Sequence, residues 1–146
     1  MKNERRRQRR QAGVTLIEML VVVTIIALFA ALVAPTMFKQ SDKARVTATR
    51  AQINNLKTAL GAYKLDTGVF PTSEQGLQAL RVAPPNVAQW AGPYLQTDVP
   101  SDPWGHQYIY KFPGDHGDEP DIMSYGADGQ PGGEGTNADI TSWKTQ

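Results

Sequence analysis

Residues with chemical potential gather in two places. Between Gly126 and Asp139, five glycines are interleaved with Asp128, Glu134, Asn137 and Asp139. Glycine lets the backbone turn tightly through positive φ, and oxygen side chains at short spacing suit a hard cation. Ca²⁺ takes about six to eight oxygens, several of them from carbonyls. The spacing is not that of an EF-hand, which sets acids at alternate positions ahead of its glycine. No lysine follows the glycines to build a phosphate cradle, and the charge has the wrong sign for one. On residue types alone, a cation site and a solvated loop fit this stretch equally well. The second place is Glu18. From Leu16 to Ala34 every side chain is apolar or small except Thr24 and this carboxylate. An acid inside an apolar span is costly enough to mark it as functional.

Other candidates are poorer. His106 and His116 with Asp115, Asp118 and Asp121 read as solvated turn formers at a hairpin rather than as a metal cluster. There is no catalytic Ser/His/Asp spacing, no cysteine, and no pair of carboxylates on a rigid element, so the chain does not read as an enzyme. Trp90, Trp104 and Trp143 are expected in the core of a small domain.

The elements that must position these groups follow from the hydropathy pattern. About 20 apolar residues cross a bilayer core as a helix, so the run after Gly13 reads as one transmembrane segment. Lys2, Arg5, Arg6, Arg7, Arg9 and Arg10 precede it. Such a block stays on the cytoplasmic side and sends the C-terminus outward. Residues 1–13 carry six basic residues and Glu4, for +5; the rest carries nine Lys/Arg against thirteen Asp/Glu, for −4. The basic block therefore speaks of membrane topology, and the acidic remainder argues against nucleic-acid binding. No Ala-x-Ala site closes the apolar run, which also exceeds a signal-peptide core. With 146 residues and no cysteine, the chain has room for an anchor and one small domain, in which a metal is the remaining staple.

Pro35 near the end of the run removes a helical hydrogen bond and predicts a kink or a locally unwound stretch, or simply a bend on leaving the bilayer. From Lys39 to Thr67, Val46, Ile53, Leu56, Leu60 and Tyr63 recur at helical spacing with Thr49 in the gap. Lys43, Arg50, Lys57 and Lys64 line a solvated face. Helix from Val14 to Thr67 is expected, stopping at Gly68. Thr72 with Gln75 forms a capping box ahead of a short helix of about two turns that turns Leu77 and Leu80 inward. Ala83 to Pro103 reads as a packed loop. Gln107 to Phe112 is a strand, Pro113 to Pro120 a turn, and Asp121 to Tyr125 the returning strand.

Gly13 followed by Val14-Thr15-Leu16-Ile17-Glu18 resembles the type IV pilin-like signal. That resemblance implies cleavage after Gly13 by a prepilin peptidase and N-methylation of Val14 by the same enzyme, where the family's usual residue is Phe. Cleavage leaves an amine at Val14 entering the apolar phase, and Glu18 is its natural partner when subunits pack side by side. Proline at the position of Pro35 is where such helices stretch on assembly. Farther along, Phe70-Pro71, Ser73 to Leu80, Gly92-Pro93-Tyr94-Leu95, Asp102-Pro103-Trp104-Gly105, Ser124 to Gly129, Ala138-Asp139-Ile140 and Ser142-Trp143 resemble the major pseudopilins of type II secretion, the general secretion pathway protein G family. The resemblance covers nearly all of residues 13–143.

It implies an α+β pilin-like fold: a long N-terminal helix, transmembrane in its first half, packed on a small antiparallel sheet, with a C-terminal calcium-binding loop. It implies a leader at 1–13, a transmembrane and assembly helix at 14–38 and a periplasmic head at 39–146. One Ca²⁺ is expected, held first by the Tyr125 carbonyl and the Asp128 carboxylate, then by Glu134, Asn137 and Asp139. Some relatives carry paired acids where this chain has Gly135 and Thr136, which points to backbone carbonyls among the later ligands. The implied function is a homopolymeric inner-membrane and periplasmic filament that drives folded proteins through an outer-membrane secretin. Implied partners are minor pseudopilins, the prepilin peptidase, and an inner-membrane assembly platform with its ATPase. A type IV pilus subunit for adhesion or motility is the alternative.

Overall fold

The computed structural model describes residues 13–144, leaving out the side chains at 34–36, 38 and 39. All but Gly13 of the expected leader at 1–13 therefore lies outside the described residues. The chain divides into two compact units, Met1–Lys39 and Gln40–Gln146. Helix α1, Leu16–Thr67, contributes to both. Its start is set by Thr15, whose Oγ1 accepts the Glu18 N–H at 3.3 Å, so one orphan donor of the first turn is satisfied. Its end is set by Gly68, at φ 83, whose N–H donates to the Lys64 carbonyl at 2.8 Å. The helix is unbroken at Pro35; the locally unwound alternative is not the one this structure adopts.

The outer part of α1 supplies one wall of the core of the second unit. Ile53, Leu56, Leu60 and Tyr63 are each at most 2% exposed, which is the stripe that three- and four-residue spacing predicts. Thr49 is also buried, and its hydroxyl donates to the Arg45 carbonyl at 2.9 Å, so no polar group is stranded. Lys43, Arg50 and Lys64 are exposed, and Lys57 pairs with Glu119 at 3.0 Å.

The capping box forms: the Thr72 N–H donates to Gln75 Oε1 at 2.9 Å and the Gln75 N–H to Thr72 Oγ1 at 3.2 Å. The expected two-turn helix does not follow. Gly76, at φ 59 and ψ −165, breaks the path, and a single 3-10 turn, Leu77–Leu80, takes its place. Leu77 and Leu80 still point inward, and Leu80 is completely buried. Trp90 closes this side by donating its Nε1–H to the Ala79 carbonyl at 2.8 Å.

Strands β1 (Ile109–Lys111), β2 (Asp121–Ser124) and β3 (Ile140–Thr141) form one antiparallel sheet in that order. Tyr110 faces Ile122 across the first pair, and Ser124 faces Ile140 across the second. β3 is an addition to the two strands the alternation predicts, since two residues are too few to show a period. It brings the chain after the acidic loop back beside β2, so the sheet fixes both ends of that loop.

Candidate metal loop and assembly helix

The loop between β2 and β3 carries the oxygen-rich residues. Tyr125 is half-buried, Asp128, Glu134 and Asn137 are exposed, and Asp139 is half-buried. Gly126 at φ 67 starts the loop, and a Cβ there would lie 2.8 Å from the Thr136 carbonyl and 2.9 Å from the Ala138 carbonyl. The two arms therefore pass at a distance that only glycine allows. The Ala127 N–H donates to the Thr136 carbonyl at 3.0 Å. Asp128 Oδ1 accepts the Gln130 N–H at 3.1 Å, and Asp139 Oδ2 accepts the Gly132 N–H at 3.0 Å.

The other Asp139 oxygen, Oδ1, is buried and has no hydrogen-bond partner among the described residues. A buried carboxylate oxygen left unpaired carries a desolvation cost, and it calls for a cation or donor. Asp139 also lines a cavity of about 100 Å³ against Val46 and Arg50 of α1. Among the described residues no three His, Cys, Asp or Glu side chains converge as a metal cluster. A cation here would depend on the Asp128 and Asp139 carboxylates together with carbonyl oxygens. That donor set is all oxygen, as Ca²⁺ requires.

Three residues that support this loop were not identified as such from sequence. Asp102 has a fully buried side chain. Its Oδ1 accepts the Trp104 N–H at 3.1 Å and the His106 N–H at 2.8 Å, and its Oδ2 accepts the Ser124 hydroxyl at 2.6 Å. Ser124 Oγ in turn accepts the Gly126 N–H at 3.2 Å. His106 Nδ1 lies 3.1 Å from the Gly126 carbonyl. A carbonyl can only accept, so Nδ1 carries the proton.

The histidines stay partly exposed, as turn residues are expected to be, yet each also makes specific contacts. His116 Nδ1 lies 2.8 Å from Oδ2 of buried Asp121, and its ring stacks on Trp143 at 3.9 Å between centroids and 8° between planes. Trp143 is therefore held by His116 at the hairpin, whereas Trp90 and Trp104 pack against the main core. Asp115 is a turn residue in the ordinary sense: exposed, and held below the usual carboxylate range by its hydrogen bond and charge contact with Lys111.

In the first unit, Leu16–Val33 has a mean hydropathy of 2.9, and none of it is buried within the chain. Glu18 sits on the first turn of this helix, where the helix dipole favours an anion. Val14 is exposed just ahead of it, and a Cβ at Gly13 would meet no atom of the described residues within 4 Å. Gly13 and Val14, where cleavage is expected, lie on described backbone that precedes the helix.

Comparisons with known proteins agree with the long apolar N-terminal helix and the small antiparallel head. The family profile described as type II secretion system (T2SS), protein G, matches residues 36–143. The prokaryotic N-terminal methylation motif matches residues 8–34. The type II secretion system core protein G of Vibrio cholerae is 43% identical over 144 residues, covering 97% of each chain. Its counterpart in Pseudomonas aeruginosa is 42% identical over 139 residues, covering 93% of this chain and 97% of that one. Among solved structures, the major pseudopilin from the type 2 secretion system of enterohaemorrhagic Escherichia coli is 35% identical. It superposes with a TM-score of 0.63, covering 75% of this chain and 95% of that one. The chain belongs to the type II secretion system protein G family.

Proposed function

We propose that this chain is the major structural subunit of a type II secretion pseudopilus. Its leader is removed after Gly13, Val14 is methylated, and the mature helix anchors in the inner membrane with its head in the periplasm. Subunits then polymerise through residues 14–38 into a filament that drives folded proteins through the outer-membrane secretin. The observation that carries the reading is Leu16–Val33: an apolar helix with none of its residues buried in its own chain and one acid in its first turn. Such a surface needs lipid or other subunits to cover it. In the membrane, Glu18 pairs with the terminal amine of a neighbouring subunit. The role is structural, and work for assembly comes from a separate ATPase through an inner-membrane platform, with minor pseudopilins at the tip.

The head is stapled by one Ca²⁺ bound to the loop from Tyr125 to Asp139. The Tyr125 carbonyl, Asp128 and Asp139 are its principal ligands; Glu134, Asn137 and nearby carbonyls complete the set. The unpaired Asp139 Oδ1 supports this assignment.

A strain lacking the gene tests the role. Folded exoenzymes retained in the periplasm with surface motility intact are expected. Normal secretion with lost motility would overturn the secretion reading in favour of a pilus subunit.

A further inference from the structure

We propose that Asp102 and His106 hold the first half of the acidic loop in its ligand-ready shape before any cation arrives, so that the cation closes only the second half. This rests on the calcium reading above, and its test separates the two. Residues 102–106 form a closed turn around the Asp102 carboxylate. The Asp102 N–H donates to the His106 carbonyl at 2.8 Å, the Gly105 N–H to the Asp102 carbonyl at 2.9 Å, and both carboxylate oxygens are used. The turn presents His106 to the loop at two points. Nδ1–H reaches the Gly126 carbonyl, and the ring lies against Gly129, where a Cβ would meet Nε2 at 2.9 Å. Ser124, fixed by Asp102, receives the Gly126 N–H. The stretch that bears Asp128 is thus gripped at both ends from outside the loop.

The second half is held largely from within. There the Gly132 N–H donates to Asp139, the Asn137 N–H to the Glu134 carbonyl and the Ala127 N–H to the Thr136 carbonyl, all within the loop, and Asp139 Oδ1 remains unpaired among the described residues. Ordering half of a site in advance lowers the entropy cost of binding. Partners that orient metal ligands from behind typically change metal affinity by about 10–100-fold. His106 is therefore a positioning residue for the cation and not one of its ligands.

The full-length chain in detergent micelles provides the test, with amide hydrogen exchange of residues 126–130 in chelator and Ca²⁺ titration by calorimetry. His106→Gln places its amide too far along the side chain to reach the Gly126 carbonyl, whereas His106→Asn keeps a donor near the Nδ1 position. Faster exchange at 126–130 and about tenfold weaker Ca²⁺ binding are expected for His106→Gln, with most of both restored in His106→Asn. Wild-type exchange and wild-type affinity in His106→Gln would overturn the proposal. If the wild-type chain takes up no Ca²⁺, the calcium reading falls by itself, and the exchange comparison in chelator still decides whether His106 holds the loop.

Discussion

Replacing Asp139 by Asn separates the charge of this carboxylate from its shape. The asparagine carbonyl can still accept the Gly132 N–H that Asp139 Oδ2 accepts at 3.0 Å, so the loop keeps its internal bond. What disappears is the anionic oxygen at the Oδ1 position, buried and unpaired. Without calcium the variant should be as stable as the parent, because a buried, unpaired charge has been removed and no packing lost. With calcium the two should part. An extracellular-type site binds with Kd of roughly 0.1–1 mM, so 2 mM Ca²⁺ stabilises the parent by about 0.6–1.8 kcal/mol through mass action. For a folded unit of about 100 residues this raises Tm by about 3–9 °C. Near-UV circular dichroism of the purified chain in detergent micelles, scanned in chelator and in 2 mM Ca²⁺, measures both numbers. The parent should show the shift, Asp139→Asn little of it, and Asp115→Asn, outside the loop and bound to Lys111, all of it. A full shift in Asp139→Asn would refute the role given to this oxygen, and no shift in the parent would remove the staple altogether.

Glu18→Val should be cleaved normally yet fail to build filaments, since the terminal amine of a neighbour then enters the apolar phase unpaired; normal filaments by electron microscopy would contradict the pairing. Gly13→Leu should leave the leader attached, and a mature mass by mass spectrometry would count against the cut site. Leu80→Ala removes a side chain with no exposed surface and should cost about 2–5 kcal/mol, read as a lower urea midpoint at unchanged slope. Alkali should unfold the head through its buried phenols. Burial first, then the Asp102 charge, pushes Tyr108 up to about 12, and burial also raises Tyr110. The protonated phenols are the ones the fold favours. Their contribution is complete below about pH 10 and lost as pH rises from there through about 12. Phenolate absorbance from these residues should therefore rise together with unfolding, and their titration in a still-folded head would contradict this.

The parts of the head that sequence foretold are those whose cause is local. Ile53, Leu56, Leu60 and Tyr63 lie on one face because a helix returns every three or four residues, and nothing beyond the helix is needed to see it. Thr72 and Gln75 bond each other across three residues, again a local matter. The short helix after them is a single 3-10 turn because a capping box marks a start but gives no length, and Gly76 breaks the path at once. The supports of the acidic loop were hidden for the opposite reason. Asp102 meets Ser124 across 22 residues of chain, and His116 stacks on Trp143 only because β3 returns beside β2.

One signal did point to the first of these contacts. In β2, Ile122 and Ser124 are two residues apart and so share a face, and both are wholly buried. A serine on the inward face of a strand must find a polar partner, because an unpaired buried hydroxyl costs about 1–3 kcal/mol. The strand leads directly into the glycine-rich loop, so that partner had to lie beneath the loop. Asp102, set in a Pro-Trp-Gly turn and unable to be buried without donors of its own, satisfies both demands at once. The polar residues that shape the candidate site are thus legible as pairs of unmet requirements, even where no spacing in the sequence connects them.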